Sequence, residues 1–478
     1  MRARTPPLVV DLDGTLVHCD LLHEAMVKLA VADPLSILQW PGWLLLGRAR
    51  FKREVALRVT LDVPLLPYQE ELLAWIRGER DGGRQITLCT AADERFAASV
   101  SAHLGLFDQV MASNGSVNLA AAEKAAMLVG QFGARGFDYA GNSAADVAVW
   151  SEARHAIVVG ASPRVRRKAA AVTEIEREFG SAPGGIRTWM RALRLYQWVK
   201  NLLVFLPVVG AHQIFNVPVL LLGLWAFIAF GLCASATYLL NDMADIDSDR
   251  RHPRKRLRPF ASGVLTIPQG VAACVCLIIA AFALAISMVA LEFAAWLGVY
   301  LVTTLCYTFW LKRKMLVDSL VLAGLYTLRV LAGSAAVQIE TGFWLLAFSL
   351  FFFLSLAMVK RYSELSMVLM RGDRAVPGRD YVVDDRHLVE TLGVTSGFCA
   401  VMVMALYIND EAALRLYPNQ QLIWLTIPVL LYWISRCWLK AHRGEMHEDP
   451  VVFALSDGLS RVTIALFFAA LVVASIPL

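Results

Sequence analysis

Residues 241–249 read Asn241-Asp242-Met243-Ala244-Asp245-Ile246-Asp247-Ser248-Asp249, and Arg250, Arg251, Arg254, Lys255, Arg256 and Arg258 follow at once. On a continuous helix, Asp242, Asp245 and Asp249 lie at i, i+3 and i+7 and share one face. Three carboxylates so placed repel one another unless a cation sits among them. Hard oxygen donors of this kind suit Mg²⁺, which keeps waters and substrate phosphates in its shell. The basic run beside them can take up further phosphate charge, arginine through forked contacts. Together they read as a Mg²⁺–diphosphate clamp at the mouth of a membrane cavity. A solvated loop that merely fixes topology is the plainer alternative, and the carboxylate spacing disfavours it.

A second constellation lies near the N-terminus. Leu8-Val9-Val10 has the pattern of a buried strand and runs into Asp11-Leu12-Asp13-Gly14-Thr15. Residues 85–89 read as another strand and end at Thr90. Lys124 opens a helical stretch over 123–132. Residues 137–140 form a further strand-like piece, ending in Gly141-Asn142-Ser143-Ala144-Ala145-Asp146, and 155–159 one more. Strands alternating with helices predict an α/β domain with a parallel sheet, whose sites lie at the strands' carboxyl ends. These markers, in this order, resemble the haloacid-dehalogenase-like (HAD) phosphatase superfamily over residues 6–165. The resemblance implies Asp11 as nucleophile, Asp13 as acid/base, and Thr90 and Lys124 as holders of the phosphoryl oxygens. It implies one Mg²⁺ held by Asp11, Asp13, Asn142 and Asp146, and a helical cap over about 16–84. An aspartyl-phosphate divides one hard hydrolysis into two steps. The family carries Asp where this chain has Asn142, an amide without the negative charge and a weaker Mg²⁺ ligand.

Within that cap, residues 35–46 (Leu-Ser-Ile-Leu-Gln-Trp-Pro-Gly-Trp-Leu-Leu-Leu) are unusually apolar. The plain expectation is packing inside the cap; the sharper one is docking on the bilayer with Trp40 and Trp43 at the interface. Residues 180–185 read as a flexible linker that closes a first domain over 1–180. Residues 186–198 alternate Arg187, Arg191 and Arg194 with Trp189, Leu193, Leu195 and Trp198, the pattern of a helix along the membrane surface.

Composition sets the frame for the rest. Of 478 residues 57% are apolar and only 18% charged, too greasy for an ordinary soluble chain. The eight cysteines are scattered and indicate neither a disulfide framework nor a zinc site. The N-terminus has no signal-peptide core. A window of about 19 residues finds apolar runs near 199–215, 217–240, 268–290, 293–310, 316–337, 343–359, 391–408, 421–438 and 460–477, which predicts nine spans within 199–478. Positive residues crowd the loops around 250–258, 312–314, 360–386 and 436–443. The positive-inside rule therefore puts the N-terminal domain and the aspartate cluster on the cytosolic side of a bacterial-type inner membrane.

Several charged groups stand at or inside span ends. Asp318 and Arg329 are eleven residues apart and share a helix face, with Arg329 deep in the bilayer, where an arginine usually lines a polar cavity. Asp457 precedes the last run and could face the same cavity. The cluster Asn241, Asp242, Asp245 and Asp249 resembles the signature of the UbiA-type intramembrane transferase superfamily, over residues 187–478. The segments NDMADIDSDRRHPRKRLRP, YTFWLKRKMLVDSLVLAGLYTLRVLAGSAA and VKRYSEL are most similar to its decaprenyl-phosphate phosphoribosyltransferases. Aromatic prenyltransferases of that superfamily carry a second aspartate-rich motif where this chain has Asp318 alone. The resemblance implies an all-α bundle of nine transmembrane helices around a lateral cavity. It implies Mg²⁺ on Asp242, Asp245 and Asp249, phosphoribosyl pyrophosphate as donor and a polyprenyl phosphate as acceptor. Substrate contacts would come from Asn241, Lys200, Asn201, Lys255, Arg256, Arg258, Lys312, Asp318, Arg329, Lys360, Arg361 and Tyr362. The fused phosphatase would remove the 5-phosphate of the product. The competing readings are a prenyl diphosphate donor ionised by the same clamp, and a non-catalytic membrane scaffold. No nucleic-acid partner is indicated, and a homo-oligomer is left open.

Overall fold

The computed structural model describes residues 5–180, 184–370, 372–376, 379–446 and 449–476. Residues 181–183 of the expected linker lie outside them. The chain divides into two compact units, 1–192 with 239–272, and 193–238 with 273–478.

The first unit is built on a six-stranded sheet in the order β3-β2-β1-β4-β5-β6, every neighbouring pair parallel. The strands are β1 (Leu8–Val10), β2 (Ile86–Asp93), β3 (Gln109–Ser113), β4 (Asp138–Gly141), β5 (His155–Val159) and β6 (Glu174–Phe179). Leu8, Val9 and Val10 are wholly buried, as a central strand covered on both faces must be. The strand order reverses between β1 and β4, so their carboxyl ends open a crevice at the switch point. Asp11 and Asp13 follow β1 there, and Asn142 and Asp146 follow β4.

β3 and β6 were not foreseen. β6 reads Glu-Ile-Glu-Arg-Glu-Phe, an edge strand whose charged, solvent-facing pattern hides its pairing with β5. β2 runs past Thr90 to Asp93, with an irregularity in its register between Cys89 and Asp93. The region between β1 and β2 is helical as expected, with Leu21–Ala32, Trp40–Leu45, Arg48–Arg58 and Glu70–Asp81 as its α-helices.

Residues 239–272 fold with this unit rather than with the bundle. The helix Val217–Ala244 stops before Asp245, and a short helix, Ile246–Arg251, restarts after it. Phe260 and Leu265 are buried. Gly263 takes φ +75°, and a Cβ there would meet the Cβ of His18 at 2.7 Å, so only glycine admits the loop after β1 this closely.

The second unit is helical. Among the described residues eight helices are long and apolar enough to cross a membrane: Val217–Ala244, Ile267–Val289, Leu291–Phe309, Val317–Val337, Phe343–Met370, Val383–Tyr407, Gln420–His442 and Gly458–Ser475. The chain is an integral membrane protein. The expected ninth span, 199–215, is instead a short apolar stretch, Leu195–Gly210, wound as a 3₁₀ helix to Phe205 and as α-helix only from Leu206. Pro207 has no N–H and is tolerated only in the first turn of that α-helix, which fixes where the change occurs. The surface helix expected over 186–198 also breaks. It ends at Ala192, and Arg194 turns left-handed (φ 50°) with its guanidinium over the Tyr238 ring.

Candidate active sites

In the β1–β4 crevice the predicted phosphatase residues converge. Lys124 Nζ donates to Asp11 Oδ1 at 2.8 Å and to the Tyr139 hydroxyl at 2.9 Å. That hydroxyl donates to Asp146 Oδ1 at 2.9 Å. Asp146 Oδ2 accepts from the backbone N–H groups of Asn142 and Ser143 and from Ser143 Oγ. Burial, with Asp146 nearby, raises Asp11 to about 6 despite Lys124. Burial and the charge of Asp20 push Asp13 up to about 8, while Leu21 N–H holds its Oδ1 at 2.9 Å. A carboxyl that keeps its proton at neutral pH suits a general acid beside an ionised nucleophile. Gly14 adopts φ +73°, and the Asn142 amide nitrogen lies 2.1 Å from where a Cβ would stand. The loops after β1 and β4 therefore lock together through Asn142. Thr90 is buried, its Oγ1 accepting from Ala92 N at 3.0 Å.

Sequence reading missed Lys52. It reaches in from the cap helix Arg48–Arg58 and donates to Ala91 O at 2.6 Å and Asn118 Oδ1 at 2.7 Å. Burial lowers its pKa below the usual lysine value, against the opposing charges of Asp13 and Asp20. One basic residue among five on the same helix gives no signal of this in the sequence.

The aspartate cluster is also largely closed. Asp242 and Asp249 are 2% and 3% exposed, so neither points into bulk solvent. One nitrogen, Arg258 Nη1, lies 3.3 Å from Asp242 Oδ1 and 3.0 and 2.8 Å from the two Asp249 oxygens. A single cationic atom thus sits where carboxylates from two helices converge. Burial raises Asp249 to about 6, against the lowering effect of Arg258. Asp245 stands at the break between the helices, half-buried like Asn241.

The basic run divides. Arg250, expected near phosphate, is buried and turned to the cap, where it forms a fork with Glu24 at 2.8 and 2.6 Å and donates to Ala261 O at 2.8 Å. Arg251 pairs with Asp62 at 2.7 Å, and Lys28 bonds Asp247. Lys255 is half-buried and Arg256 exposed. A run of arginines with no visible partner looks uniform in sequence; the partners of these two lie almost two hundred residues or more upstream.

In the second unit Lys200 donates to Asp449 and to Gln197 Oε1 at 3.1 Å. Lys200 and Lys360 hold the Asp449 carboxyl at about 2 although burial opposes it. Asn201 Oδ1 accepts from Arg329 Nε at 3.1 Å. Arg329 gives its other nitrogens to Leu325 O at 2.5 Å and the Tyr300 hydroxyl at 3.2 Å, among the rings of Phe230, Tyr300 and Tyr326. Asp318 does not pair with Arg329. Its Oδ1 accepts from the Tyr381 hydroxyl at 2.8 Å, and its Oδ2 meets Arg361 Nε at 2.6 Å and Arg379 Nη1 at 3.1 Å. Arg361 also reaches Glu364, and among the described residues its buried Nη2 has no hydrogen-bond partner. Lys312 lends its carbonyl to Arg379 at 3.5 Å. Tyr362 packs against Trp438, its hydroxyl 3.0 Å from His442 Nδ1. Asp457, suggested as cavity-facing, pairs with Arg436 at 2.7 Å and caps the last helix through Ser460 N–H at 2.8 Å.

A model of the UbiA prenyltransferase family matches residues 203–458. A protein of Sinorhizobium fredii, uncharacterized protein y4nM, is 36% identical over 474 residues, 98% of this chain and 91% of that one. The decaprenyl-phosphate phosphoribosyltransferase of Corynebacterium glutamicum is 38% identical over 181 residues, 37% of this chain and 54% of its own length. The structure of a UbiA homolog from Archaeoglobus fulgidus bound to GPP and Mg²⁺ covers 60% of this chain and 99% of that one, at 16% identity and a TM-score of 0.46.

Proposed function

This chain belongs to the UbiA prenyltransferase family, and we propose that it transfers 5-phosphoribosyl from phosphoribosyl pyrophosphate to a polyprenyl phosphate, its HAD-like domain then removing the product's 5-phosphate. The observation that carries the reading is Arg258 Nη1 held between Asp242 and Asp249. Buried hard-oxygen donors that already converge on one cation fit Mg²⁺. Asp242, Asp245 and Asp249 would hold it, and when bound it supplies charge neutralisation for the departing pyrophosphate. Arg258, Lys255 and Arg256 take up the remaining phosphate charge, and the lipid phosphate oxygen bonds to the anomeric carbon as the bond to pyrophosphate breaks.

Asp318 supports this donor over a prenyl diphosphate. Its oxygens are occupied by Tyr381, Arg361 and Arg379, so that end of the bundle is arginine-rich where a second carboxylate cluster would stand. Arg361, with Lys360 and Lys200, suits a phosphate on the donor or the acceptor, and the relationship to the Corynebacterium enzyme points the same way.

In the HAD-like domain Asp11 attacks the phosphorus, Asp13 passes its proton to the leaving ribose hydroxyl, and Lys124 and Thr90 hold the phosphoryl oxygens. Asp13 then takes a proton from the water that releases phosphate from Asp11. Asp11, Asp13, Asn142 and Asp146 offer only oxygen donors and fit a second Mg²⁺, which would offset phosphoryl charge. The positive-inside pattern supports a cytosolic position for this domain, at a bacterial-type inner membrane. Mass spectrometry of lipid products formed from each candidate donor tests the whole reading. The expected product is a lipid phosphoribose from the full chain and its 5-phosphate from Asp11→Asn. Prenyl transfer without dependence on phosphoribosyl pyrophosphate overturns the first step, and 5-phosphate persisting on the unaltered chain's product overturns the second.

A further inference from the structure

The cap carries an apolar surface that neither proposed reaction uses. Between Pro34 and Leu46 the chain turns through a 3₁₀ helix, Pro34–Gln39, and the helix Trp40–Leu45. Leu35, Leu38, Leu45 and Leu46 are 73%, 79%, 88% and 71% exposed, with Leu44 and Ile37 also open. Patches of this kind on a soluble face mark an interaction site. The segment is folded, not loose. Trp43 is buried beneath it with the Arg58 guanidinium 4.5 Å from its ring centroid. Trp40 stands edge-on to Phe51 at 6.2 Å, and Ser36 Oγ donates to Asp33 O at 2.6 Å. The tryptophans thus pack inside, as the plainer expectation had it, and the leucines face out, so the docking alternative fails only in placing Trp40 and Trp43 at the interface.

Two further observations identify the occupant. No Asp or Glu occurs from residue 34 to 53, while Arg48, Arg50, Lys52 and Arg53 do; Arg48 and Arg50 are exposed directly after the leucines, Arg50 also pairing with Glu54 at 2.6 Å. Exposed leucines bordered by arginines match acyl chains beneath anionic headgroups. The same compact unit also contains residues 239–272, the adjoining ends of two membrane-crossing helices and the loop between them. Chain connectivity alone therefore holds this unit at a bilayer surface.

We propose that the leucine turn of residues 35–46 inserts into the headgroup–acyl boundary of the membrane, with Arg48 and Arg50 on anionic lipid, as a second anchor for the phosphatase cap. Its attachment is the rod Arg48–Arg58, which also carries Lys52 to Ala91 and Asn118 beside the phosphatase loops. The anchor thereby fixes the cap at lipid level.

Spin labels read this without any turnover, so the test stands apart from the assignment of donor and acceptor. The full chain, with Cys276, Cys306 and Cys399 replaced by Ala, would carry a label at Leu38→Cys, Leu45→Cys or, as an exposed reference on the same unit, Glu123→Cys. In nanodiscs containing anionic lipid, the ratio of oxygen to nickel-chelate accessibility is expected to be several-fold higher at 38 and 45 than at 123. In lipid-free amphipol it should fall towards the reference value. Chelate reaching 38 and 45 as readily as 123 in nanodiscs overturns the proposal. So does exclusion of both reagents in amphipol, which means a second protein copy covers the turn. Adding Leu45→Glu should lower the ratio read at position 38; an unchanged ratio also overturns the anchor.

Discussion

Removing one side of the Glu24–Arg250 pair should loosen the aspartate cluster from a distance. Both side chains are about 95% buried, so solvent screening gives little relief, and apart from Glu24 the guanidinium meets only neutral partners, the Ala261 carbonyl and the buried Cys19 thiol. Breaking a buried pair from one side costs about 3–5 kcal/mol, because the abandoned charge stays buried. At about 1.4 kcal/mol per decade, local opening of residues 246–266 should rise by roughly two to three and a half decades. Arg251, Arg254 and Arg256 are exposed on that segment and give trypsin its cleavage points, with cutting limited by how often the flanking backbone opens. Tryptic release should thus accelerate strongly in Glu24→Gln and in Arg250→Met, measured on the full chain in nanodiscs with fragments identified by mass. The double variant leaves no lone charge and should return most of the way to the unaltered rate, since an apolar replacement of a buried pair is often neutral. Strictly additive single effects, or unchanged cleavage in Glu24→Gln, would refute the claim that this fork holds the segment.

The Mg²⁺ requirement of transfer should steepen as pH falls through about 6, where Asp249 takes up a proton and stops competing for the metal. Arg258→Gln removes the charge that lowers Asp249, so the same rise should begin at higher pH; a profile that stays put refutes the link. Asn142→Asp adds a charged ligand in the phosphatase crevice and should reduce the Mg²⁺ needed for half-maximal phosphatase rate by on the order of tenfold, read by titration with a soluble phosphomonoester. Gly14→Ala should abolish that activity and leave transfer intact, because its Cβ would overlap the Asn142 amide. Arg329→Met should lower the melting temperature of the detergent-solubilised chain, and Arg329→Lys should not restore it, because a lysine cannot serve Asn201, Leu325 and Tyr300 together.

What the sequence disclosed follows from what is local. Asp11 and Asp13 follow β1 and Asn142 and Asp146 follow β4, and the loops after such strands meet at the switch point of a parallel sheet, so their meeting was legible. Helical spacing suggested that Asp242 and Asp249 meet, and both reach Arg258, but the helix breaks at Asp245, so the continuous helix behind that expectation is not there. Pairings across long separations were not. Arg250 looked like its neighbours until Glu24 claimed it, and Asp318 looked like a lone cavity carboxylate until Arg361, Arg379 and Tyr381 enclosed it. The 195–210 stretch misled for another reason: hydropathy registers apolar content but not the tighter 3₁₀ winding up to Pro207. β6 escaped because a charged edge strand has no apolar signature.

The placement of residues 239–272 has a consequence for biogenesis. The ribosome completes the phosphatase-like sheet early, yet the residue that covers Glu24 is encoded 226 positions later. At about 5–20 residues per second, the cap waits roughly 10–45 s with a carboxylate and apolar surface uncovered, while a membrane helix is threaded between the two. Insertion delivers the missing piece, so a chain cut at the linker would release a head in which Glu24 has lost its buried partner.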